Sequence, residues 1–123
     1  MKLPLYSSRM KAGFGSPSDD SVEEYLDIGE YLISNPNSTF LVRVAGESMS
    51  GDNITTGDIL VVDKSLTFDR KSIIIAHLNG EFMMKRFVKN RLISSNPTFD
   101  DILITESDEF IIWGVVIGVF RKL

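Results

Sequence analysis

The chain has 123 residues, 43% of them hydrophobic, no cysteine and a formal net charge of -4. That length suits one compact core and is short for two. The missing cysteines exclude a disulfide framework, a thiol nucleophile and a cysteine zinc site, and an acidic chain without a polybasic run is a poor sequence-independent binder of phosphate backbones. The N-terminus lacks the long apolar segment of a secretory signal. The longest apolar run, Phe110 to Phe120, is too short to cross a bilayer as a helix, so the expectation is a soluble, intracellular protein.

Residues 1–21 hold Pro4, Gly13, Gly15, Pro17 and several serines and aspartates with little periodicity. They read as a flexible arm or linker, with a β domain over residues 22–123. In "SVEEYLDIGEYLISNP", Ser21 with Glu24 and Asp27 with Glu30 have capping-box spacing. A short helix is expected from near Asp27 to the Asn35-Pro36 stop, with Gly29 weakening it. From Thr39 onward, strand follows strand: "TFLVRVA", "DILVVD", "SIIIAHL", "EFMMKRFV", "RLIS", "ILI" and "FIIWGVVIGVF". Asn79-Gly80 marks a two-residue hairpin between the third and fourth of these. The expected fold is mostly β, a curled and partly barrel-like sheet with one short helix and an N-terminal arm.

Few residues offer chemistry. His77 is the only histidine, placed late in a strand, where an edge or surface role is the ordinary one. One histidine without cysteine leaves no HExxH or similar metal set, and no phosphate-cradling GxxxxGK[ST] occurs, so no metal or cofactor is expected. A serine with a lysine base is the remaining arrangement. Ser48 sits in "VAGESMSGD", a loop bounded by Gly46 and Gly51. A lysine base has to be neutral, which is the case for only about 0.04% of ordinary lysines at pH 7; burial on an apolar strand face raises that fraction. Lys85 alternates with Met83 and Phe87 in "EFMMKRFV", while its neighbour Arg86 cannot serve as a neutral base. The residues alone leave a second reading open for each. Ser48 is also a normal turn residue, and Lys85 also a normal snorkelling surface residue.

Taken together these stretches resemble the peptidase family of the LexA and UmuD proteins. "GESM" (Gly46 to Met49) is similar to its nucleophile box, "GDILVVD" (Gly57 to Asp63) to the strand after it, "GEFMMKRF" (Gly80 to Phe87) to its lysine strand, and "WGVVIGVFR" (Trp113 to Arg121) to its closing strands. The resemblance runs from about Gly13 to Arg121, and the order and spacing of the boxes, with Lys85 37 residues after Ser48, are its specific part. It implies Ser48 as nucleophile, Lys85 as general base, and the backbone amides of Ser48 and Met49 as oxyanion donors. The implied substrate is the chain's own Ala12-Gly13 bond. Only 12 residues precede that bond, too few for a helix-turn-helix head, so the likeness is to the UmuD branch. That branch implies a bacterial, cytoplasmic homodimer that cuts itself when stimulated by a RecA filament on single-stranded DNA. It then serves as accessory subunit of an error-prone, UmuC-like polymerase in SOS mutagenesis and translesion synthesis, without sequence-specific DNA binding of its own. Alternatives are a non-catalytic dimeric adaptor of the polymerase, or a phage-type repressor domain without its head. Signal peptidases share the serine–lysine chemistry, but the missing membrane segment speaks against them. "NPTFDDI" (Asn96 to Ile102) departs from the family pattern at Phe99 and Asp101, which puts a surface loop or partner contact in question.

Overall fold

The computed structural model describes residues 1–6 and 22–123, which divide into two compact units, Met1–Ser34 and Asn35–Leu123. In the first unit, β1 (Lys2–Tyr6) pairs antiparallel with β2 (Val22–Asp27), Lys2 opposite Asp27. The expected arm thus begins with a strand, whose partner satisfies backbone groups that would otherwise need water. The helix α1 (Ile28–Leu32) starts where the Asp27–Glu30 spacing predicts. Asp27 is its N-cap, and its carboxylate accepts a hydrogen bond from the Glu30 amide at 3.0 Å. The Ser21–Glu24 spacing starts no helix, because Glu24 lies within β2 opposite Leu5. Pairing with β1 overrides the local capping signal there.

The second unit is one antiparallel sheet in the order β3-β4-β9-β5-β6-β7-β8. Its strands are β3 (Thr39–Arg43), β4 (Ile59–Asp63), β5 (Ile74–Leu78), β6 (Glu81–Val88), β7 (Arg91–Ile93), β8 (Ile102–Leu103) and β9 (Phe110–Phe120). Each lies within the stretch expected of it. The β5–β6 hairpin turns on Asn79 and Gly80, both at positive φ (49° and 90°), the backbone a tight two-residue turn requires. β9 organises the sheet: Phe110 to Val115 pair with β5, and Val115 to Phe120 pair with β4. Register shifts at Ile75/Ala76 and Val61/Val62 accompany that change of partner, and bulges bend strands. At the crossover Gly114 admits a close approach, since a Cβ there would lie 2.8 Å from Val62 Cγ1 and 3.0 Å from the Asp63 carbonyl oxygen. The fold is mostly β, with one short α-helix and no closed barrel among the described residues.

Alternation along β5 divides the apolar interior into two clusters. Ile75 joins Val44, Met49, Ile54, Leu60, Val62 and Met84, while Ile74, Ala76 and Leu78 join Leu92 and Val115. The first cluster is the floor on which the Ser48 loop rests. Its Met49, 0% exposed, ties that loop to the sheet by a side chain one residue from the candidate nucleophile.

Candidate active site

The loop after β3 is held at both ends by backbone. The Val44 amide donates to the Asp58 carbonyl at 2.8 Å, and the Gly57 amide returns a bond to the Val44 carbonyl at 3.0 Å. Gly46 takes φ 110°, a conformation a β-carbon resists, and its amide donates to Thr56 Oγ1 at 3.0 Å. A 3-10 turn, Ser50–Asp52, follows Ser48 and closes on Asn53 at φ 59°. Below it the Asp58 carboxylate, 2% exposed, accepts from the Thr55 amide at 3.0 Å and pairs with Arg121 at 2.8 Å. Buried charge without a partner would be costly; here it knots the loop to the end of β9.

The segment after β7 forms the loop's other wall. The Asn96 amide donates to the Ser48 carbonyl at 3.1 Å, and Asn96 Nδ2 donates to the Glu47 carbonyl at 2.9 Å. Gly51 lies so close to Ser95 that an added Cβ would sit 3.0 Å from the Ser95 carbonyl carbon and from its Cβ. A third tie is ionic. Arg86, next to Lys85 on β6, makes a bidentate pair with Asp52 in the turn after Ser48, at 2.7 and 3.0 Å. The planar guanidinium matches a carboxylate in this geometry, and it holds the Asp52 carboxyl below the ordinary range. Serine loop and lysine strand are therefore fastened by the residues flanking the two candidates.

Lys85 is 6% exposed. Burial pulls its amine below the ordinary lysine value, because the charged form loses hydration in an apolar setting. Its Nζ hydrogen-bonds Ser94 Oγ, and the Phe99 ring centroid stands 5.1 Å away. Ser48 Oγ donates to the carbonyl of Met84, the residue before Lys85, at 3.4 Å. Ser48 and Lys85 line one cleft of about 350 Å3, walled by Val42, Leu60, Met84, Phe99 and Ile102. The two residues thus border a shared, mainly apolar space, the hydroxyl and the amine each resting on another partner. Among the described residues the Ser48 and Met49 amides donate no hydrogen bond, as an oxyanion site requires. Ala12 and Gly13 lie outside the described residues.

Other residues weighed in the sequence are placed elsewhere. His77 stacks edge-on against Phe82, ring centroids 4.7 Å apart, in an aromatic row that continues to Trp113 and Phe40. Among the described residues no cluster of three metal-ligating side chains occurs, and no helix is long and apolar enough to cross a membrane. Sequence reasoning overlooked Ser94, Asn96, Asp52 and the place of Phe99 at the mouth of the cleft beside Lys85. For Ser94 a signal existed in the β6–β7 hairpin, whose register places it across from Lys85 once Lys89 and Asn90 are taken as the turn.

A peptidase S24-like family model matches residues 4–117. Protein MucA of Salmonella typhimurium is 38% identical over 93% of the chain and 81% of its own length. Protein SamA of the same species is 39% identical over 97% of the chain and 85% of its own length. LexA repressor 1 of Geobacter sulfurreducens is 35% identical over the whole chain, which spans 62% of that repressor.

Proposed function

The chain belongs to the peptidase S24-like family, and from that premise we propose that it is a serine endopeptidase that cleaves its own Ala12-Gly13 bond with Ser48 and Lys85. The observation that carries the reading is the cleft itself: a serine on a firmly held loop and a nearly fully buried lysine border the same apolar space. A lysine kept from water, and with no acidic partner among the described residues, gives up its proton more readily than an exposed one.

In the proposed reaction the neutral Lys85 amine takes the Ser48 hydroxyl proton as Oγ bonds to the Ala12 carbonyl carbon. The Ser48 and Met49 amides stabilise the oxyanion. Collapse breaks the Ala12–Gly13 bond, and the Lys85 ammonium passes its proton to the departing Gly13 nitrogen. Water then hydrolyses the Ala12 ester, with Lys85 again as base, releasing the peptide of residues 1–12 and freeing Ser48 in residues 13–123. A small residue before the bond and glycine after it let the backbone approach the loop closely. A RecA filament on single-stranded DNA acts by shifting the arm's population toward the cleavable pose, supplying no catalytic group. The shortened homodimer then joins an error-prone polymerase subunit in the bacterial cytoplasm. The extended similarity to MucA and SamA supports this UmuD-like placement.

Incubation of the full chain with RecA, single-stranded DNA and a nucleoside triphosphate, followed by intact-mass measurement, tests the reading. A single cut after Ala12 that disappears in Ser48→Ala is the expected result. An uncut chain, there and at alkaline pH, would leave a non-catalytic adaptor of the polymerase.

A further inference from the structure

We propose that Ser94 is a positioning residue for the lysine base, its hydroxyl fixing the Lys85 amine in the cleft beside Ser48. The inference rests on the Ser48–Lys85 reading above and adds a third side chain to it. Its origin is the register of the β6–β7 hairpin. Val88 pairs with Arg91, Phe87 with Leu92 and Arg86 with Ile93, so the next pair in the ladder's sequence is Lys85 and Ser94. Directly opposed residues on antiparallel strands project to the same face with Cβ atoms about 5 Å apart. The turn, Lys89 and Asn90, takes positive φ at both positions (51° and 61°) and fixes that register. The pairing delivers a hydroxyl to a buried amine, and Ser94 Oγ is the hydrogen-bond partner of Lys85 Nζ among the described residues.

A lysine is long and freely rotating, so burial alone leaves its nitrogen unaimed. Two contacts restrict it here: the Ser94 hydroxyl and the Phe99 ring, 5.1 Å from Nζ. A hydroxyl also serves both protonation states, accepting from the ammonium and donating to the neutral amine. It can therefore remain in place while the proton moves to and from Ser48. The segment carrying Ser94 also carries Asn96, whose amide binds the Ser48 carbonyl. One stretch of chain thus touches nucleophile and base. The charged side chains lining the cleft beside Lys85 are Arg43 from β3, Glu47 from the serine loop and Glu81 from β6. Arg86 is engaged with Asp52, and Glu47 accepts from Thr55 and Thr56. None of the ion pairs among the described residues includes Lys85.

The test is self-cleavage of the full chain across alkaline pH, followed by intact mass, in wild type, Ser94→Ala, Ser94→Thr and Lys85→Ala. Ser94→Ala is expected to lower the limiting rate at least about tenfold, the scale on which misplaced catalytic groups lose rate. Its pH midpoint is expected to move downward, since the charge-assisted bond lost by the ammonium is stronger than the neutral bond lost by the amine. Ser94→Thr, which keeps the hydroxyl, restores both. A Ser94→Ala protein with the wild-type limiting rate and midpoint, or a faster one, overturns the inference. Should Lys85→Ala cleave like wild type, the dyad itself is wrong. If Lys85→Ala is silent while Ser94→Ala is unaltered, only the role of Ser94 fails. A readout independent of cleavage is the Lys85 side-chain NMR titration in a Ser48→Ala background. Adding Ser94→Ala, or Ser94→Cys if the alanine variant does not fold, lowers the midpoint; an unchanged midpoint overturns the proposal.

Discussion

Gly51→Ala adds one methyl group at the contact between the serine loop and the segment after β7. An ideal Cβ there stands 3.0 Å from the Ser95 carbonyl carbon and closer still to the carbonyl oxygen. Those atoms are backbone, so no rotamer change relieves the clash, and one wall has to retreat by roughly 1 Å to restore ordinary contact. Either movement disturbs the site. If the loop moves, Ser48 moves with it. If the other wall moves, it carries Ser94 away from Lys85 and Asn96 away from the Ser48 carbonyl. Overpacking of this kind costs about 1–3 kcal/mol, a fall in Tm of roughly 5 °C or more for a unit of this size. Misplacement of a reacting group by about 1 Å costs on the order of 100-fold in rate. The assay is paired: thermal unfolding for the first effect, self-cleavage at alkaline pH for the second. The variant is expected to remain folded at 25 °C, melt earlier and cleave about 100-fold more slowly. Cleavage within twofold of wild type would refute the claim that this packing sets the geometry of the site.

Two further outcomes follow from the charged groups. Asp63 is fully buried, and its carboxylate accepts from Asn35 Nδ2, Ser65 Oγ, Ser38 Oγ and the Ser65 amide at 2.7–2.9 Å. These bonds hold it far below the ordinary carboxylate range. Its stabilisation is therefore complete above the unfolded-state value of about 3.9 and is lost as pH falls through the lower folded-state value. Asp63→Asn should lower Tm at neutral pH and flatten the acid side of a Tm-against-pH curve; an unaltered curve contradicts this. The Asp52–Arg86 pair is partly exposed, with 27% and 29% side-chain exposure, so solvent screens it. A double-mutant cycle with Asp52→Asn and Arg86→Gln, read by urea unfolding, should give a coupling of about 1 kcal/mol. A value indistinguishable from zero removes the pair from the forces joining loop to strand.

The strands were legible because their signals are local. Asn79-Gly80 states its turn outright, and "EFMMKRFV" presents a lysine between apolar neighbours. Strand alternation left open which face of β6 is buried, and the structure buries Lys85 rather than leaving it snorkelling at the surface. What escaped the sequence depends on non-local pairing. β1 looked like linker because Pro4 and the absence of periodicity concealed a strand completed only by β2. The β6–β7 turn uses Lys89 and Asn90 at positive φ without glycine, so the register that brings Ser94 to Lys85 carried no conspicuous mark. Phe99, recognised as a departure in a surface loop, is partly exposed there and also walls the cleft, because the segment from Asn96 is bound to the backbone of the serine loop.

The most direct test of the central claim is the pH profile of self-cleavage without RecA, in wild type beside Lys85→Ala. Raising pH neutralises the lysine, so the wild-type rate should climb with pH and level off below the ordinary lysine pKa of about 10.4, while Lys85→Ala should show no cut after Ala12 at any pH. Cleavage at that bond in Lys85→Ala with the wild-type rate and profile would contradict a Ser48–Lys85 mechanism.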